Sequence, residues 1–145
     1  IDIPIMNQRW SGAKGLDVQL NNKKCKIRKE KKKFSDLIMS STSLLMFDDN
    51  HQEKIRNIYK KIKIPVFGTD CYAYGLLLSG KVDLIVEANM KPWDYMAQAF
   101  LIKEFGGYIS DWNGKELNLD SNGKVVASYD SNHHKTILGL LNEIK

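Results

Sequence analysis

Apolar and polar positions alternate one for one at the start of this chain, in Ile1-Asp2-Ile3-Pro4-Ile5. That is the period of a half-buried strand, so Ile1–Met6 and Arg9–Ala13 read as two strands joined at Asn7-Gln8. Gly12 and Gly15 punctuate the segment, and Cys25–Arg28 adds a short strand. Further on, the apolar positions gather into short runs separated by helical spacings. Leu37–Met39 leads into the polar loop Ser40-Ser41-Thr42-Ser43, Ile64–Phe67 breaks at Gly68, and Val82–Glu87 forms a third strand. Ile55, Ile58, Tyr59 and Ile62 share one helical face behind an Asp48-Asp49-Asn50 cap. Thr69 and Asp70 are expected to cap a helix over Cys71–Ser79 that Gly80 ends. Asp94–Phe105 is the next helix, closed by Gly106-Gly107. Tyr108–Trp112 and Lys115–Leu117 flank Asn113-Gly114, a two-residue hairpin signal. Val125–Tyr129 is the last strand, and Ser131 caps a helix that runs to near Ile144.

Strands that alternate with helices argue an α/β unit over residues 36–145. Residues 1–35 read as antiparallel strands that complete the sheet of a larger, upstream domain. The chain opens on Ile1 inside a strand pattern, so it is expected to be a piece of a longer protein. Its 145 residues, 43% hydrophobic and 27% charged, suit a water-soluble fold with a sizeable core. No apolar run approaches the ~20 residues of a membrane helix, and no signal peptide opens the chain. Cys25 and Cys71 match no metal or redox spacing and are expected to be reduced and packed, consistent with a cytoplasmic setting. The net charge of +5 comes mostly from Lys23–Lys33. That block holds no aromatic residue, so a lysine-protected hairpin or edge strand explains it better than a nucleic-acid surface.

Candidate chemistry gathers at strand ends. Glu87 follows Leu84-Ile85-Val86 directly, and an unpaired carboxylate at the mouth of a buried strand is costly unless it meets solvent, a cation or donor groups. Asp94 opens the next helix, and Asp70 stands at another strand-to-helix junction; a helix cap is the simpler reading of each. Three acids at successive strand ends line one edge of one sheet, where α/β folds keep their sites. The other candidates are plainer. His133-His134 and His51 read as surface residues, Trp93 and Trp112 as packing near the site, and Trp10 as a surface or subunit contact.

Gly68-Thr69-Asp70-Cys71-Tyr72-Ala73-Tyr74, Ser79-Gly80-Lys81-Val82-Asp83, Val86-Glu87-Ala88, Lys91-Pro92-Trp93-Asp94 and Phe105-Gly106-Gly107 occur in the order and spacing of one family. Together they resemble the inositol monophosphatase superfamily of magnesium-dependent phosphatases, across essentially the whole chain. Asp70-Cys71-Tyr72-Ala73-Tyr74, Glu87-Ala88 with Lys91-Pro92, Arg9-Trp10-Ser11-Gly12-Ala13-Lys14-Gly15 and Ser40-Ser41-Thr42-Ser43 are most similar to its histidinol-phosphate phosphatase branch. The resemblance implies the C-terminal half of a layered α-β-α-β-α sugar-phosphatase fold: an antiparallel strand segment, then a mixed sheet flanked by helices.

It also implies a mechanism in which two or three Mg²⁺ ions bind phosphate, activate a water and stabilise the leaving alkoxide. By position Asp94 is the implied metal ligand. Gly68, Thr69, Asp70 and Glu87 are the implied substrate contacts, with acids at Asp70 and Glu87 suiting an amine-bearing substrate such as histidinol phosphate over a neutral inositol phosphate. The family's Glu-Glu and Asp-Pro-x-Asp-Gly-Thr motifs, which supply most metal ligands and activate the water, lie upstream of the point matched by Ile1. No catalytic residue is therefore assigned within the chain, and the chain alone is expected to be inactive. Its implied partners are a small phosphorylated metabolite, the N-terminal half of the same protein and, when intact, a second copy; no membrane or nucleic acid is expected. Two other readings stand beside this one: a regulatory relative that binds RNA or protein through residues 23–33, and a non-catalytic remnant.

Overall fold

The computed structural model describes residues 1–26 and 31–143. The first sheet is antiparallel, with strands β1 (Asp2–Ile3), β2 (Gln8–Ser11), β3 (Gln19–Leu20) and β4 (Lys23–Lys24) in chain order. β1 stops early because Pro4 has no amide proton to give a ladder. Residues Pro4–Met6 form a single 3₁₀ turn instead, and Asn7 leaves it in the left-handed region at φ 50°. The β3–β4 hairpin turns on Asn21 and Asn22, both at positive φ (48° and 65°), the conformation that a tight two-residue hairpin needs. Neither strand was expected at these positions. The strand read over Cys25–Arg28 begins two residues earlier, at Lys23–Lys24, and residues 27 and 28 lie outside the described ones.

The second sheet is mixed. It comprises β5 (Ile38–Ser40), β6 (Ile64–Val66), β7 (Leu84–Glu87), β8 (Tyr108–Ser110) and β9 (Val125–Ser128), in the order β6-β5-β7-β9-β8. β6, β5 and β7 run parallel, while β9 and β8 are antiparallel to their neighbours. β7 is central and buried on both faces, which explains its unbroken apolar run. Its side chains split by the strand period: Leu84 and Val86 enter one core, Ile85 the other.

Helices α1 (Asp49–Tyr59) and α4 (Ser131–Asn142) cover the Leu84 face, and α2 (Tyr72–Leu78) and α3 (Pro92–Phe105) the Ile85 face. The antiparallel sheet lies on the outer side of α2 and α3, where Trp10 and Val18 join the same core as Leu77, Leu101 and Ile102. Because α3 is packed from both sides, it is apolar around much of its girth. Trp10 is therefore buried, not a surface contact. Its indole donates to Ser79 Oγ at 2.9 Å and its ring meets Tyr72 edge-on at 5.9 Å.

Other expectations shift for local reasons. Within the expected Asp48-Asp49-Asn50 cap of α1, Asp48 is the capping residue, accepting the His51 amide at 3.0 Å. Asp130, not Ser131, caps α4. The Asn113-Gly114 turn forms, but Lys115–Leu117 does not return as a strand. Asp111 Oδ1 accepts the amides of Asn113 and Lys115 at 2.8 Å each, closing the loop on itself, and β8 pairs with β9. His133 and His134 are buried rather than surface residues, because they share the inward face of α4 with Ile137 and Leu141. His133 Nε2 lies 3.0 Å from the Lys32 carbonyl and His134 Nε2 2.9 Å from Ser110 Oγ. Cys25 is half-buried and Cys71 is exposed, so Cys71 is not the packed thiol the spacing suggested.

Candidate active site

Three parallel strands end at one edge of the mixed sheet, and three loops leave it there. Hydroxyl and backbone groups stitch these loops together. The Ser41 amide donates to Val66 O at 3.0 Å, and the Gly68 amide to Thr42 O at 2.9 Å. Ser40 Oγ and Thr69 Oγ1 share a bond of 2.8 Å, and Ser41 Oγ donates to Val86 O at 2.6 Å. The cluster of hydroxyl residues after β5 thus works as a seam between strand ends.

An open cleft of about 470 Å³ lies over this seam, lined by Thr42, Met46, Asp70, Cys71, Met90, Trp93, Asp94 and Gln98. Of the expected site residues, Asp70 and Asp94 line it together. Gly68 and Thr69 precede Asp70 in the same loop without lining the cleft, and Glu87 stands behind it. Thr69 and Asp70 do not cap α2 through their side chains; the position before the helix is Cys71. Asp70 instead sits exposed with φ 41°, a left-handed backbone that a non-glycine residue holds at some cost. Trp93 is 79% exposed, so it borders the cleft instead of packing in a core. Trp112 is buried as expected, its indole donating to Glu87 O at 3.2 Å, with His51 half-buried against it.

α3 begins at Pro92, two residues before Asp94, since proline suits a first helical turn. Asp94 is the third residue of that turn, and its Oδ2 accepts the Lys91 amide at 2.8 Å. The capping reading of Asp94 is thus realised in the fold. Glu87 is closed off from solvent; Oε1 accepts from Thr42 Oγ1 at 2.6 Å and Oε2 from the Tyr74 hydroxyl at 2.7 Å. Burial pushes the Glu87 carboxyl above its ordinary value, opposed by those two hydroxyl donors. Burial, then the neighbouring Glu87, push the Tyr74 hydroxyl well above its own, so Tyr74 stays a donor. Thr42 and Tyr74 were not singled out as individual residues from sequence. The signal for Thr42 was a run of four hydroxyl residues directly after an apolar strand, and that for Tyr74 its place in the Asp70–Tyr74 motif.

The cleft holds two carboxylates and, among its described lining residues, no lysine or arginine. A phosphate dianion therefore needs a cation to enter it. One Asp94 oxygen is already taken by an amide, and no group of three His, Cys, Asp or Glu is poised for a metal among the described residues. Asp94 fits as one ligand of a site with further carboxylates.

Residues 1–145 match the profile of the inositol monophosphatase family. Over 145 residues, covering 95% of this chain and 42% of the relative, the chain is 36% identical to the bifunctional phosphatase IMPL2, chloroplastic, of Arabidopsis thaliana. A histidinol-phosphatase of Chlorobaculum parvum is 36% identical over a shorter stretch, 59 residues, which covers 41% of this chain and 23% of that protein. An inositol monophosphatase structure from Zymomonas mobilis superposes with a TM-score of 0.90 at 30% identity, covering 97% of this chain and 55% of that one. The chain spans about half the length of the curated relatives it matches. No described helix is long and apolar enough to cross a membrane. The chain belongs to the inositol monophosphatase family.

Proposed function

We propose that these residues form one wall of a magnesium-dependent phosphomonoesterase site whose preferred substrate is an amine-bearing phosphomonoester, histidinol phosphate before inositol monophosphate. The acid-only cleft carries the reading. Asp70 and Asp94 repel a bare phosphate and attract cations, so the cleft suits bound Mg²⁺ on one side and a cationic organic group on the other. Mg²⁺ held by Asp94 and further carboxylates of the same family domain would neutralise the phosphoryl group and lower the pKa of an attacking water. Asp70, presented by the Gly68–Thr69 loop, faces the non-phosphate part of the substrate, with the buried Glu87 adding negative potential behind it.

Lacking those further carboxylates, the 145-residue chain has no phosphatase activity alone. Magnesium-dependent hydrolysis by the purified chain would overturn that statement. Co-expression with the remaining half of the family domain should give hydrolysis of histidinol phosphate. In that assembly Asp94→Asn should lower kcat at least about 10²-fold and weaken Mg²⁺ binding with the fold intact, as loss of a metal ligand does. Unchanged activity rules out the ligand role. Removing the magnesium with a chelator should silence the wild-type assembly, and restoring it should recover the rate. The RNA-binding reading has less support, since Lys24 pairs with Asp17 at 2.7 Å and Lys32 with Asp83 at 2.8 Å. A salt-sensitive RNA complex would favour it.

A further inference from the structure

Glu87 has no exposed surface and both its oxygens are engaged by protein hydroxyls, at 2.6 Å from Thr42 and 2.7 Å from Tyr74. A small molecule in the cleft meets Thr42, which lines it, with Glu87 directly behind. A threonine hydroxyl carries one proton and two lone pairs. Here the proton is committed inward to a carboxylate, so what Thr42 retains for a visitor is acceptor capacity. The charge-assisted bond behind it also raises the negative charge on its oxygen, because hydrogen bonds in series polarise one another. Tyr74, itself fully buried, holds the second carboxylate oxygen and fixes the direction of the first.

We propose that Thr42 is a specificity-determining residue of the cleft, an obligate hydrogen-bond acceptor that selects molecules bearing an N–H or O–H donor on their non-phosphate part. Glu87 and Tyr74 are positioning residues that lock the Thr42 proton away from the cleft. The proposal rests on the phosphomonoesterase reading for the donor's identity: an ammonium or imidazole N–H of a histidinol-like substrate, or a hydroxyl of a polyol. A site built around a committed acceptor penalises a molecule that brings no donor far more than one that lacks a methylene.

The test uses the 145-residue chain itself and phosphate-free probes, so it needs neither metal nor turnover. Backbone and methyl NMR signals are followed during titration with histidinol, with myo-inositol, and with dioxane, which offers no donor. Expected are saturable shifts at Thr42 with a donor-bearing probe and none with dioxane. Thr42→Ser should keep the response, and Thr42→Val, with a dispersed spectrum retained, should weaken it at least about tenfold. Should Thr42→Val not fold, Thr42→Ala carries the same arm. Equal affinity in the hydroxyl-free variant, an equal response to dioxane, or no wild-type response at Thr42 to either donor overturns the Thr42 role. A response to myo-inositol without one to histidinol leaves Thr42 in place and overturns the amine-bearing substrate instead.

Discussion

A methyl group added at Gly123 would stand 2.3 Å from the Met90 carbonyl oxygen and 2.9 Å from its nitrogen. Gly123 also holds φ 76° and its carbonyl accepts the Met90 amide at 3.0 Å, so it pins the loop that lines one side of the cleft. Gly123→Ala should cost about 2–3 kcal/mol in chemical denaturation, from strain and collision together. Asp70 offers the opposite case. Its left-handed backbone is strained, so Asp70→Gly should raise stability by up to about 1 kcal/mol while weakening any cationic ligand; a loss of stability would show that the carboxylate supports the fold. Glu87 adds a pH signature. Its folded pKa lies above its value of 4.5 in an unfolded chain, so the native state holds the extra proton between the two. Its contribution is present below 4.5 and is lost as pH rises through the folded value. Glu87→Gln should flatten that decline in a melting-temperature series, and an unchanged slope would place the charge cost elsewhere. Asp70 and Asp94 were legible from sequence less as single acids, each of which a helix cap would explain, than through the motifs that hold them, Gly68-Thr69-Asp70 and Lys91-Pro92-Trp93-Asp94. Thr42 was not, since a hydroxyl's role depends on which group receives its proton, and Glu87 lies 45 positions away.

At the scale of elements, α2 shows where propensity and packing disagree. Gly75 sits mid-helix, where alanine would ordinarily gain about 1 kcal/mol. A Cβ there would lie 2.8 Å from the Trp10 ring, whose indole is already tied to Ser79. Gly75→Ala should therefore destabilise by about 1–3 kcal/mol, and Trp10→Phe should relieve part of the loss in the double variant. Additive losses would mean that ring and helix do not share this contact. The helices and the three parallel strands were readable because glycines and apolar periods agreed locally, even where the capping residue was a neighbour of the expected one. The β3–β4 hairpin was not, because two-residue strands carry no period and Asn21-Asn22 is a weaker turn signal than Asn-Gly. The inward turn of His133 and His134 depended on the side of α4 that met the sheet, a tertiary fact.

Across the whole molecule, the end of the basic block is fastened from two directions at Lys32. Lys32 reaches the fully buried Asp83, which also accepts the Ile38 amide at 2.8 Å, and the Lys32 carbonyl lies against His133. Asp83→Ala would strand a half-buried lysine and an amide, and should cost about 3–5 kcal/mol. A loss under about 1 kcal/mol would show that the strap is dispensable. Acid should loosen the neighbouring contact of α4 with the sheet. Burial holds His134 below the ordinary histidine value of 6.5, so the unfolded chain binds the proton more readily. The stability it supports is present above 6.5 and is lost as pH falls toward the folded value, which a denaturation series would follow.

The outermost strands of both sheets share a property with consequences at high concentration. β1 is two residues long and is halted by Pro4, β4 is a pair of lysines, β6 carries Pro65, and β8 runs three residues into the self-closing Asp111 loop. Each is a poor template for another chain's backbone. Copies of this protein should therefore resist stacking into fibrils. When crowded, they should cluster, if at all, through exposed side chains such as Trp93 rather than by lengthening a sheet.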